Sequence, residues 1–156
     1  LAEIQSVLRP LEQFERLMQQ IYNELADAFS DDAEAAGLFS KLAFEEGSHL
    51  RQVQFLRRLV RQNSTHFGDV EIDPDVLARE VEELEKALEA TRRFSLHEAL
   101  VIAIQFEGGV AELHARPAIA KANPDVARML GDLHAADERH RKALIELANR
   151  RGFRTS

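Results

Sequence analysis

LFSKLAFEEGSHLRQVQFLRRLV, residues 38–60, is the stretch whose reading decides the fold. Phe39, Leu42, Glu46, His49, Val53, Leu56 and Val60 succeed one another at alternating steps of three and four, the spacing that keeps side chains on one face of a helix. Two of these seven inward positions are polar. A carboxylate and an imidazole carried into a core are costly unless something pairs with them. Hydrogen bonds from neighbouring helices are one partner, and a cation held between facing helices is another.

The same interruption occurs in three further stripes. Leu8, Leu11, Glu15, Met18, Tyr22, Leu25 and Phe29 carry one inward acid, as do Leu96, Leu100, Ala103, Glu107, Val110 and His114. Val126, Leu130, Leu133, Asp137, His140, Leu144 and Leu147 again place a His three residues after an acid. Residues at equal height in an antiparallel hairpin are equidistant from its turn. The midpoint of Glu15 and Glu46 falls at Ser30/Asp31, inside the helix-start signal SDDAE, and that of Glu107 and Asp137 at Ala122/Asn123, beside Asn123-Pro124. Both hairpins therefore place their acids level. Glu15, Tyr22, Glu46 and His49 are spaced 7, 24 and 3, while Glu107, His114, Asp137 and His140 are spaced 7, 23 and 3. The chain reads as a duplicated helical hairpin whose acids converge on one point.

Composition bounds what such a point can be. The 156 residues, 45% of them hydrophobic, suffice for one domain with a sizeable core, and scarce Gly and Pro suit a helical bundle. A net charge of -7 argues against nucleic acid, which needs a basic face. No apolar run approaches the ~20 residues of a membrane span and no basic-then-apolar leader opens the chain, so no membrane partner and a cytoplasmic location are expected. The absence of cysteine removes thiolate zinc, iron-sulfur clusters and cysteine nucleophiles, which leaves oxygen and nitrogen as ligands.

The first helix starts near Ala2 or at Pro10 and ends near Phe29; the second runs from about Asp32 to Gln62. NSTHFG, residues 63–68, breaks the pattern and leaves His66 in an exposed loop. Asp73-Pro74 opens a helix with the narrow stripe Leu77, Val81, Leu84 and Leu88, a crossover lying outside the four-helix core. Ser95 and Glu98 form a capping box for the third bundle helix, with His97 exposed. Gly108 and Gly109 either let helices approach or leave room for a small oxidant. Pro117 kinks that helix end, and the fourth bundle helix spans Pro124 to about Arg151 with Gly152 as its stop. Met18 and Met129 fit ordinary packing, so heme is not expected, and His134 flanks the stripe.

Four carboxylates and two imidazoles at the middle of a bundle suit iron or manganese. A known template takes one Glu from each of two helices and an acid-x-x-His from each of the others, holding two metals. Glu15 and Glu107 supply the single acids; Glu46 with His49 and Asp137 with His140 supply the pairs, with Glu46 and Asp137 as bridges. Zinc would also bind such groups, although a closed zinc site needs only four ligands. Tyr22 and His114 are core residues with one bonded tip or second-layer supports, His114 alternatively an extra ligand. Glu45 lies off the stripe, so Glu45→Ala is not expected to abolish binding of the pair, whereas Glu46→Ala is.

Glu15 with Tyr22, the LAFEEGSH segment, AIQFEGG with Glu107, and HAADERH with Asp137 and His140 together resemble the rubrerythrin branch of the ferritin-like superfamily across nearly the whole chain. The resemblance implies a single all-α domain over residues 1–156. Its fold would be a ferritin-like four-helix bundle of two hairpins joined by one long crossover containing a short extra helix. It further implies a di-iron site reacting with hydrogen peroxide or dioxygen, an external electron donor, and a homodimer or larger assembly. Three departures stand out: Asp137 replaces the usual Glu, Val110 stands where a second helix-three Glu is usual, and the four-cysteine rubredoxin domain is not in this sequence. Ferroxidase activity in iron handling and a metal-free helical scaffold are the rival readings.

Overall fold

The computed structural model describes residues 3–63, 67, 73–114 and 124–155, the side chains of 110–114 excepted. His66, Pro117 and Asn123, and the side chains of Val110 and His114, lie outside the described residues. Within them the chain forms five α-helices and a short 3-10 turn, with no strand. The helices are α1 (Ile4–Ala28), α2 (Ala33–Gln62), α3 (Pro74–Ala90), α4 (Leu96–His114) and α5 (Pro124–Arg150), and the 3-10 turn is Thr91–Arg93.

Helix ends follow local chemistry. Asp32 caps α2 by accepting from the Ala35 amide at 3.1 Å, and Asp73 caps α3 with Pro74 in its first turn. The expected capping box is present in full: the Glu98 amide donates to Ser95 Oγ at 3.1 Å, and the Ser95 amide donates back to Glu98 Oε1 at 3.0 Å. At the end of α5 the Phe153 amide reaches Ala148 O and the Gly152 amide reaches Asn149 O, the two bonds of a Schellman motif. Gly152 adopts φ 72° there, a conformation open to glycine and strained for other residues.

Helix α1 starts well before Pro10 and runs through it. An internal proline costs about 3 kcal/mol. Burial of Ile4, Val7 and Leu8 in the turns before it offsets that cost, each buried aliphatic side chain contributing roughly 1.5–3 kcal/mol.

Contacts at the helix ends set directions. The short Phe29–Asp32 turn makes α1 and α2 antiparallel. Arg151, just past α5, donates to Asp32 at 2.7 and 2.9 Å and to Glu34 at 3.2 Å, so the end of α5 meets the start of α2. His97, at the start of α4, stacks on Phe153 with ring centroids 4.7 Å apart, so it is half-buried and not exposed as expected. Helices α2 and α4 therefore run the same way, and α3 carries the chain back between them along α1.

Two apolar clusters fill the interior. One gathers residues such as Tyr22, Phe39, Leu84, Leu100 and Leu144; the other gathers Leu8, Leu56, Leu77 and Leu130. Along α1 the change of cluster comes between Leu11 and Phe14, along α2 between Ala43 and Val53, and along α5 between Leu133 and Leu144. The inward acids Glu15, Glu46 and Asp137 stand at or within these breaks, so one polar layer crosses the bundle at mid-height. Met18 belongs to the core and Met129 packs against its second cluster.

Candidate metal centre

Among the described residues, each inward acid and histidine of the four stripes is buried. Glu15, Glu46 and Asp137 are 1% exposed, Glu107 and His140 are 2%, and His49 is 5%. Glu46, His49, Asp137 and His140 each offer a ligand atom, and these four atoms lie within 4.8 Å of one another. Such a group could hold a metal ion: ligands at ~2.0–2.2 Å from one centre lie no more than about 4.4 Å apart, so the four atoms would draw together by a few tenths of an ångström at most. Glu15 approaches one of its histidines and Glu107 the other. Glu15 Oε2 is 3.9 Å from His49 Nδ1, and Glu107 Oε1 is 3.4 Å from His140 Nδ1.

Glu46 stands between the imidazoles, with Oε2 3.4 Å from His49 Nδ1 and Oε1 3.2 Å from His140 Nδ1. The two rings face each other with centroids 5.3 Å apart and planes 16° from parallel. Asp137 Oδ1 approaches His49 Nδ1 at 3.9 Å. Each hairpin thus brings one further Glu to its own His, Glu15 to His49 and Glu107 to His140, with one Glu46 oxygen toward each ring. The i, i+3 spacing on α2 and α5 is what aims acid and imidazole inward together.

Electrostatics show how the protein tolerates this crowd. Burial first, and then the Glu107 carboxylate, push Glu46 up to about 8. Burial alone would lower His140, but its contacts with Glu107 and Glu46 outweigh that and raise it to about 11. Protons thus stand in for positive charge among the acids. They do so incompletely, since Glu46 Oε2, His49 Nδ1 and His140 Nδ1 are buried without a hydrogen bond. Buried polar atoms of native proteins are nearly always satisfied, so three inward-facing exceptions in one layer suit a group that could hold a cation.

Tyr22 is fully buried and its hydroxyl donates to Glu107 Oε1 at 2.7 Å. It is at once a core residue, packed on Phe39 with ring centroids 6.2 Å apart, and a support that fixes one carboxylate. Burial, then the nearby carboxylates of Glu107 and Glu46, hold its phenol well above the usual range. Whether His114 does the same lies outside the described residues.

Glu45, off the stripe, nevertheless touches one of the inward histidines. Its carboxylate lies off the stripe and its side chain is 37% exposed, yet Oε2 is 2.5 Å from His140 Nε2. Periodicity assigns a residue to a face of its own helix and says nothing about reach to a neighbour. The available signal was chemical: a ligating imidazole needs an acceptor on its outer nitrogen.

The glycines separate. Gly109 faces the Glu80 carboxylate of α3, where an added Cβ would lie 3.2 Å from Oε1, while at Gly108 it would meet Arg141 at 3.6 Å. Close approach of neighbouring side chains therefore describes Gly109. His134 is half-buried beside the stripe. A cavity of about 660 Å³ between α2 and α5, lined by Leu56, Leu59, Phe67 and Met129 among others, touches none of the six buried ligand candidates. No helix among the described residues is long and apolar enough to cross a membrane. No family model matches the chain, and no curated protein or solved structure shows significant similarity to it.

Proposed function

We propose that Glu15, Glu46, His49, Glu107, Asp137 and His140 hold a pair of iron ions at the centre of a ferritin-like bundle. In this reading the protein is a rubrerythrin-like oxidoreductase acting on hydrogen peroxide or dioxygen. The observation that carries the reading is the trio Glu46 Oε2, His49 Nδ1 and His140 Nδ1, buried without hydrogen bonds among four carboxylates. Helix directions, the long return through α3 and the mid-height polar layer all agree with a ferritin-like arrangement.

The donor set fits iron or manganese, since it is made of carboxylate oxygen and imidazole nitrogen and the chain has no thiolate. Glu46 contacts both histidines and is the natural bridge; Asp137, a methylene shorter than Glu, is the second bridging candidate. Bound iron would supply the electrons that reduce the oxidant. Around it, Tyr22 orients Glu107, and the apolar clusters above and below exclude bulk water. An external electron donor and a dimeric assembly belong to the same proposal.

Metal analysis of protein purified without chelator tests the reading directly. Two metal equivalents per chain are expected, and Glu46→Ala should abolish binding of the pair. A metal-free wild type that also refuses ferrous and manganous ions would leave the helical scaffold as the answer. Repeated oxidation of excess ferrous iron with retention of ferric mineral would favour ferroxidase activity over peroxide reduction.

A further inference from the structure

The duplicated hairpins each place an acid and a His three residues apart at their metal motifs but differ in kind one position earlier. Glu46 and His49 correspond to Asp137 and His140 at an offset of 91 residues, and the same offset pairs Glu45 with Ala136. Glu45 accepts from His140 Nε2 at 2.5 Å across the α2–α5 interface. Its counterpart Ala136 is buried and has no side-chain acceptor to return the favour to His49. Among the described residues, His49 makes no hydrogen bond through its Nε2.

We propose that Glu45 is a positioning residue for His140 and that its unmatched presence makes the two metal positions unequal, the His140 position filling first and more tightly. This rests on the two-metal reading above. The hydrogen bond keeps a proton on His140 Nε2, so it is Nδ1, 3.2 and 3.4 Å from Glu46 and Glu107, that gives up its proton and offers its lone pair when a metal binds. A carboxylate behind a ligating imidazole also raises its basicity, and losing such a partner typically weakens metal binding ~10–100-fold. Among the described residues no carboxylate stands behind His49 as Glu45 does behind His140, so a metal there binds without that support.

The test is an anaerobic titration of metal-free protein with Co²⁺, followed by calorimetry and by the visible bands of the bound ion. Wild type should bind two equivalents in two resolved steps. His140→Ala should remove the tight step and His49→Ala the weak one. Glu45→Ala should weaken the tight step ~10–100-fold, shift the visible bands of the first equivalent, and leave the weak step in place. Glu45→Gln, which keeps an acceptor oxygen without the charge, should recover part of the lost affinity. Metal-free Glu45→Ala loses the partner of a buried N–H and should melt a few degrees lower while remaining folded, and the change confined to the tight step separates positioning from that general cost. Two equal steps in wild type, or a Glu45→Ala titration that moves neither step or both equally, would overturn the inference while leaving the two-metal site intact. Failure of wild type to bind Co²⁺ at all would overturn the site and the inference together.

Discussion

Gathering four acids without a metal should make the protein least stable where most proteins are most stable. In the metal-free state the folded Glu46 keeps its proton up to about pH 8, against an ordinary value of 4.5. His140 keeps its proton to about 11, against 6.5. Both folded values are raised, so the folded state binds more protons than the unfolded one and stability falls as pH rises. For Glu46 the contribution is complete below pH 4.5 and disappears through about pH 8; for His140 the loss begins near 6.5. Three pH units at ~1.4 kcal/mol each set an upper bound of about 4 kcal/mol for the Glu46 part between pH 4.5 and 7.5. For a chain of this size 1 kcal/mol corresponds to roughly 2–4 °C, so the metal-free melting temperature should fall by on the order of 10 °C over that interval.

Metal reverses the sign, because its ligands must be deprotonated and binding therefore strengthens with pH. At a hundredfold excess over Kd the stabilisation is ~2.7 kcal/mol, a rise of roughly 5–10 °C. Calorimetric melts from pH 5 to 8.5, with and without Mn²⁺, measure both slopes, and Glu46→Gln, neutral throughout, should flatten the metal-free one. A metal-free melting temperature that is constant or rises over this range, or curves that coincide at saturating Mn²⁺, would refute the reasoning.

Tyr22→Phe removes the only hydrogen bond from the phenol to Glu107 while keeping the ring on Phe39, and should cost about 1–3 kcal/mol in a denaturant melt of the metal-free protein. Gly152→Ala forces a side chain onto φ 72° and should cost about 1 kcal/mol without changing metal stoichiometry, both read on the same sample. The reduced, iron-loaded protein should consume one set of oxidising equivalents per site and then stop until a reductase is added, since the chain has neither cysteine for a cluster nor a glycine-rich dinucleotide fingerprint. Stopped-flow mixing with excess peroxide followed by NADH alone checks this, and sustained consumption would reveal an internal electron route.

The helices, their caps and the six inward polar residues were legible in the sequence because each depends on spacing along one chain segment. A step of three and four puts Glu46 and His49 on one face whatever lies opposite, and Ser95 with Glu98 closes its own box. Equal distance from a turn was enough to bring the acids to one height. Other features depend on how two helices are rotated about their own axes and on how far a side chain extends across the gap. Tertiary structure alone decided that Glu46 touches both histidines, that Tyr22 serves Glu107 from another hairpin, and that His97 is covered by Phe153. It also decided that Glu45, on the flank of α2 by every periodic criterion, reaches past its own stripe to hold His140, because a three-bond side chain at a helix–helix seam belongs to whichever helix it can touch.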